Sequence, residues 1–87
     1  MDKDVFFRKN DLGVNVEYNV IGVFKWKNNE YCIYTDFVDD KSNPIGFRVY
    51  ADLIDNLEMI RLNPEEEKTI INDFYDEIAN FLQSNIK

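Results

Sequence analysis

The sequence predicts an α+β domain: a five-stranded antiparallel β-meander with one C-terminal α-helix packed on one face. Three observations lead there. Short β-rich runs follow one another through residues 5–62, separated by turns of asparagine, aspartate and glycine. The clearest stretch, residues 20–37, holds two such runs that meet at Asn28-Asn29. From Pro64 onward the period changes. Ile70, Ile71, Phe74, Tyr75, Ile78, Phe81 and Leu82 recur every three or four residues, the spacing of one helical face.

Taken in order, Val5-Phe6-Phe7-Arg8 reads as the first strand and Asn10-Asp11-Leu12-Gly13 as a turn, with Gly13 free to enter the left-handed region. Loop length leaves the register open, so either Phe6 or Phe7 faces the core. In the second strand Val14, Val16, Tyr18 and Val20 alternate with Asn15, Glu17 and Asn19, and Gly22 marks a bulge or a close approach. With Asn28-Asn29 as the turn, Lys27 opposes Glu30, Trp26 opposes Tyr31, Phe24 opposes Ile33, Gly22 opposes Thr35 and Val20 opposes Phe37. That register collects Val20, Phe24, Trp26, Tyr31, Ile33 and Phe37 on one face. Ile21, Val23, Lys25, Cys32, Tyr34 and Asp36 take the other.

The third strand covers 31–37, and a polar loop over 38–44 ends at Pro44. The fourth strand, 45–53, sets Phe47, Val49 and Ala51 against Arg48, Tyr50 and Asp52. Ile54-Asp55-Asn56 turns the chain into a fifth strand over 57–62, with either Leu57 and Met59 or Ile60 and Leu62 turned inward. Asn63 is the helix cap, Pro64 the first helical residue, and Glu66 sits three residues after the cap. Glu65, Glu66 and Glu67 lie where the helix dipole favours negative charge. Nothing interrupts the run, so one helix is expected over about 64–83.

The chain has 87 residues, expected as a single domain over 1–87. Area scaling gives about 5,400 Å² folded against roughly 15,000 Å² extended, enough burial for a core without staples. Hydrophobic residues make up 45% and aromatic residues 15%, which excludes a disordered chain despite 31% charge. Cys32 is the only cysteine and there is no histidine, so neither an internal disulfide nor the common zinc sets is available. Cys32 reads as a small packing residue. No apolar run is long enough to span a bilayer, and residues 1–8 lack a signal-peptide pattern, so no membrane partner and a cytoplasmic location are expected.

The net charge is −7. Residues 51–87 carry nine acids against three bases, so they supply six of the seven negative charges. Direct nucleic-acid binding is disfavoured, since affinity there comes from lysine and arginine displacing counterions. Asp36, Asp39, Asp40, Ser42 and Asn43 offer clustered oxygens, but Lys41 sits among them and the calcium-loop spacing is missing. The carboxylates of the tail lie on the polar side of a terminal helix and lack a histidine, reactive thiol or glycine-rich loop to work with. The reading is therefore of a non-enzyme, with no catalytic residue, no metal and no cofactor.

One helix covers one sheet face. Ile21, Val23, Lys25, Tyr34 and Tyr50 on the other face are expected to form an open, aromatic-centred surface with a charged rim. With the helix acids Glu65, Glu66, Asp73, Asp76 and Glu77 they make up the expected interaction residues. Arg8, Lys25, Lys27 and Arg48 form a local basic island beside them.

The Asn10-Asp11-Leu12-Gly13 turn, the hairpin Phe24-Lys25-Trp26-Lys27-Asn28-Asn29-Glu30-Tyr31, Asp39-Asp40, Phe47-Arg48-Val49-Tyr50, and Leu57-Glu58-Met59-Ile60 leading to Pro64-Glu65-Glu66-Glu67 together resemble a family of small acidic Firmicutes proteins of unknown function, the YrzB-like proteins. The resemblance spans about residues 5–81. Family members are more acidic around the third and fourth strands, where this chain departs. It implies a compact meander plus helix and carries no activity to any residue. The function expected is an acidic protein-interaction module that modulates a larger bacterial protein or complex. Its partner would be a protein, of basic character, or a second copy through the open sheet face. The alternative is a nucleic-acid mimic from a phage or mobile element that inhibits a nucleic-acid-binding enzyme.

Overall fold

The computed structural model describes residues 4–85; residues 1–3 and 86–87 of the expected domain lie outside them. Strands β1 (Val5–Lys9), β2 (Asn15–Trp26), β3 (Asn29–Asp39), β4 (Phe47–Asp55) and β5 (Glu58–Arg61) precede helices α1 (Pro64–Asp73) and α2 (Tyr75–Asn85). The five strands pair antiparallel in sequence order, so the predicted meander forms.

The first hairpin settles between the two open registers. Asn10 closes its turn, its Oδ1 accepting from the N–H groups of Leu12 at 2.9 Å and Val14 at 3.0 Å, while Gly13 takes φ +78°. Phe6 then opposes Tyr18, and Phe7 is left exposed.

The central hairpin turns one residue earlier than predicted. Lys27 and Asn28, at φ 48° and 69°, form the left-handed pair, and Trp26 opposes Asn29. Moving a turn by one residue moves the pairing by two. Phe24 now opposes Tyr31 and Gly22 opposes Ile33, yet each residue keeps its predicted face. Phe24 lies back over Gly22, where an added Cβ would meet Phe24 Cζ at 2.8 Å, and its ring stacks on Phe74 with centroids 4.6 Å apart.

Below Gly22 the faces exchange. The register slips between Val20 and Gly22, so Ile21 is the extra residue of a β-bulge. Val20 opposes Tyr34 and joins the face away from the helices, while Ile21 packs against the helix-side core; both assignments correct the expected ones. A second slip between Thr35 and Asp39 leaves Phe37 at φ 58°. Buried Thr35 stabilises it, accepting from the Phe37 N–H at 3.0 Å and donating to the Arg48 carbonyl at 2.6 Å. Phe37 remains on the helix side against Phe47 and Phe81.

The β4–β5 turn falls on Asn56 and Leu57, both at positive φ. Leu57 is therefore a turn residue, 98% exposed, rather than the start of an inward-facing strand. Leu62 packs on the core, while Met59 and Ile60 stay exposed on this short edge strand.

Asn63 caps α1 as expected, its Oδ1 accepting from the Glu66 N–H at 2.9 Å and its Nδ2 donating to Glu66 Oε1 at 2.8 Å. The single helix is corrected to two. The break falls at Phe74 (φ −111°, ψ 26°), just after Asn72-Asp73, two weak helix formers. β2 holds both sides of the break: the Trp26 indole N–H donates to Asp73, and Phe24 stacks on Phe74. The Phe74 N–H still reaches Ile70, and Ile78 still reaches Phe74, so the apolar stripe runs through the bend. Ile70, Ile78 and Leu82 from this stripe meet Tyr31, Ile33, Val49 and Ala51 from the sheet to form the core.

Candidate functional site

The face of the sheet away from the helices is not flat. The bulges at Ile21 and Phe37 curl it until β1 and β5, its two edges, reach the same central residues. On that inner face Phe6, Tyr18, Tyr34 and Tyr50 pack in a chain of edge-on and stacked rings, with centroids 5.0–5.8 Å apart. Asp52 lies beneath them, fully buried.

Buried carboxylates need partners, and Asp52 draws them from three strands. The Tyr34 hydroxyl donates to Asp52 Oδ1 at 2.9 Å, Arg8 Nη2 donates to Oδ2 at 3.2 Å, and Arg61 Nη1 donates to Oδ1. Both guanidinium groups also donate to the Tyr34 oxygen, at 2.9 and 3.2 Å. Arg61 then continues to Glu67 of α1 at 2.9 Å, and Glu67 accepts from the Ala51 N–H, a β4 donor left where β5 ends. Beside this cluster, Arg48 pairs with Asp36 at 2.6 Å, and the guanidinium groups of Arg8 and Arg61 lie over Tyr34 and Tyr50. Arg8, Arg48 and Arg61 are the only arginines in the sequence, and each is paired with a carboxylate.

The physical result is a latch. Asp52 has both oxygens occupied, and Tyr34 donates once while accepting twice, so the network ties β1, β3, β4 and β5 together across the curl. Burial, followed by the hydrogen bond to Asp52, pushes the Tyr34 hydroxyl up to about 12. Burial, followed by the nearby Asp52 charge, pushes the Cys32 thiol up to about 11. For Arg61, burial works against the charge, but the hydrogen bonds to Asp52 and Glu67 win and its pKa rises.

A pH dependence follows. Tyr34 and Cys32 are held neutral, with folded values above their ordinary 10.0 and 9.0. Their contribution to stability is whole below those ordinary values and is lost as pH climbs through about 11 and about 12. The urea midpoint is expected to hold from neutral pH to about 9 and to fall steadily above it. Tyr34→Phe and Cys32→Ala should each lose less over that alkaline range than the parent, as urea melts at several pH values would report.

The expected interaction residues separate into two sets on opposite sides of the molecule. Tyr34 is 1% exposed, covered by Phe6, Tyr18, Tyr50 and Arg8, and Tyr50 is half-buried. The expected open face is thus largely closed by its own curl. Ile21 has left it, and Val23 and Lys25 stay exposed toward the far end of β2. Glu65, Glu66, Asp73, Asp76 and Glu77 are all exposed on the helices. Asp36 and Asp40 serve their own loops: Asp36 takes Arg48, and Asp40 accepts from the Ser42 N–H and hydroxyl. Among the described residues no group of three or more carboxylates or thiols is placed to hold a metal ion. No helix of the described residues is long and apolar enough to cross a membrane.

Sequence reasoning placed Asp52 on the correct face but missed its role, along with those of Arg8, Arg61 and Glu67. An acid within the apolar run Val49-Tyr50-Ala51-Asp52-Leu53-Ile54 was the available signal. Its partners were not readable, because they come from strands 44 and 9 residues away. Compared with protein-family models, curated proteins and solved structures, the chain matches none.

Proposed function

We propose that this chain is a non-enzymatic interaction module whose acidic helical surface docks a basic segment of a partner protein. One observation carries the reading. Arginine neutralises Asp36, Asp52 and Glu67. Of the acids that form no ion pair among the described residues, Glu17, Glu30, Asp39, Asp55 and Glu58 are scattered over four strands, whereas Glu65, Glu66, Asp73, Asp76 and Glu77 are concentrated on the two helices. The helical tail holds six carboxylates against Lys68 over residues 64–85. Such a one-sided field steers and holds cationic partners. The inner sheet face, sealed by its own aromatics, offers less to a partner.

The test is binding of a labelled peptide of alternating lysine and alanine, followed by fluorescence anisotropy. Affinity should fall steeply with salt and be nearly lost at about 1 M, where the screening length is only about 3 Å. The triple variant Glu65→Gln/Asp76→Asn/Glu77→Gln, which leaves the Asn63 cap and the Asp73 indole contact intact, should bind about tenfold more weakly, about 1.4 kcal/mol. Equal binding by parent and variant would sink the reading. Competition by duplex DNA for one defined enzyme would instead favour nucleic-acid mimicry.

A further inference from the structure

Trp26 stands at the edge of the acidic surface, and its surroundings suggest more than general attraction. A cavity of about 200 Å³ opens between Trp26 and Tyr31 on the sheet and Glu65, Glu66, Thr69 and Ile70 on α1. The two rings form a corner, with centroids 6.1 Å apart and planes at 70°. Ile70, 1% exposed, supplies an apolar floor. Glu65 and Glu66, both exposed, bring two carboxylates to its wall.

We infer that this cavity receives one alkylammonium side chain, a lysine or N-methylated lysine, from the basic segment; the inference rests on the helical surface being the docking face. The chemistry matches part by part. An aliphatic stem suits the apolar floor, while the ammonium suits aromatic faces flanked by carboxylate. The indole is fixed in place because its N–H donates to Asp73, and a carboxylate on that N–H enriches the ring for cation contact. The ring is open to such a contact: the ammonium of Lys27, the next residue in the chain, sits 4.6 Å from its centroid, and Lys27 is not part of the cavity wall. An acidic side chain would meet two carboxylates, and a neutral one would leave them without a counter-charge. The cation already against this indole is an ammonium, so an alkylammonium is the occupant chosen, with the arginine peptide as its rival in the test.

Trp26 is the only tryptophan, so its emission reports on the cavity directly. The probes are the lysine-alanine peptide, the same peptide with one central trimethyl-lysine, and an arginine-alanine counterpart. Lysine peptides should change Trp26 emission saturably, and the arginine peptide should change it less. Thr69→Phe, which fills the cavity from an exposed helical position, should remove the emission change and weaken binding about fivefold. Glu65→Gln should weaken binding while keeping the emission change, which guards against misreading a folding defect in Thr69→Phe. Tighter binding of the trimethylated peptide assigns the site to methylated lysine, and equal or weaker binding assigns it to lysine itself. Salt-sensitive binding with unchanged Trp26 emission and an indifferent Thr69→Phe would overturn the cavity inference and leave the docking reading standing. No binding of any lysine peptide would overturn both.

Discussion

Replacing Asp52 with alanine should lower the melting temperature by about 15 °C, on the order of 3 kcal/mol for a domain of this size. Asp52 is fully buried, and its loss strands the Tyr34 hydroxyl and two guanidinium groups that converge on it. Removing one partner of a buried ionic cluster is costly because the remaining groups have already been dehydrated. The side chains of Arg8 and Arg61 are 37% and 45% exposed, so water recovers part of the loss and keeps it at the lower end of the usual range. Replacing Arg8, Asp52 and Arg61 with leucine and Tyr34 with phenylalanine should cost less than Asp52→Ala, since no buried polar group of the cluster is then left without a partner and Glu67, 18% exposed, keeps the Ala51 N–H. Circular-dichroism melts of the two variants decide this. A shift of only a few degrees for Asp52→Ala would mean that β1 and β5 are held by other contacts.

A chain ending at residue 62 should not fold. The helices contribute Ile70, Ile78 and Leu82, each at most 2% exposed, to a core whose sheet side is Tyr31, Ile33, Val49 and Ala51. At about 1.5–3 kcal/mol for each large aliphatic side chain, their burial matches much of the stability available to a small domain. Truncation also removes Glu67, which satisfies the Ala51 N–H and holds Arg61. The expected spectrum is that of an unfolded or aggregated chain with no cooperative transition. A folded, monomeric truncation would place the core elsewhere. In the intact chain, Ile78→Ala gives the graded version, about 3 kcal/mol.

The sequence made the architecture legible where local chemistry decides it. Asn10, Gly13, Asn63 and the stripe through Ile70, Ile78 and Leu82 act within a few residues of themselves, and each appears where expected. The misplaced turn at Asn28-Asn29 did little harm, because a shift of one residue keeps every side chain of that hairpin on its face. The bulge at Ile21 did the real rearranging. It adds one residue, exchanges the faces of Val20 and Ile21, and curls the sheet over Tyr34. Gly22 signalled an irregularity there, but not which side of it would flip.

The helix break carried a weaker signal. Asn72-Asp73 are poor helix formers, yet what bends the chain at Phe74 is its attachment to Phe24 and Trp26, nearly fifty residues earlier. The arginine latch was hidden for the same reason. A buried acid is visible in sequence as an acid among hydrophobes, while the strands that will neutralise it are set by the curl.

The most direct test of the account is a map of where a basic ligand lands. Backbone amide shifts of the isotopically labelled protein, followed by nuclear magnetic resonance during titration with the lysine-alanine peptide, should move at Glu65, Glu66, Thr69, Asp73, Asp76 and Glu77. Those of Phe6, Tyr18, Tyr34 and Tyr50 should stay still. Shifts concentrated on the tyrosine face, with the helices silent, would contradict it.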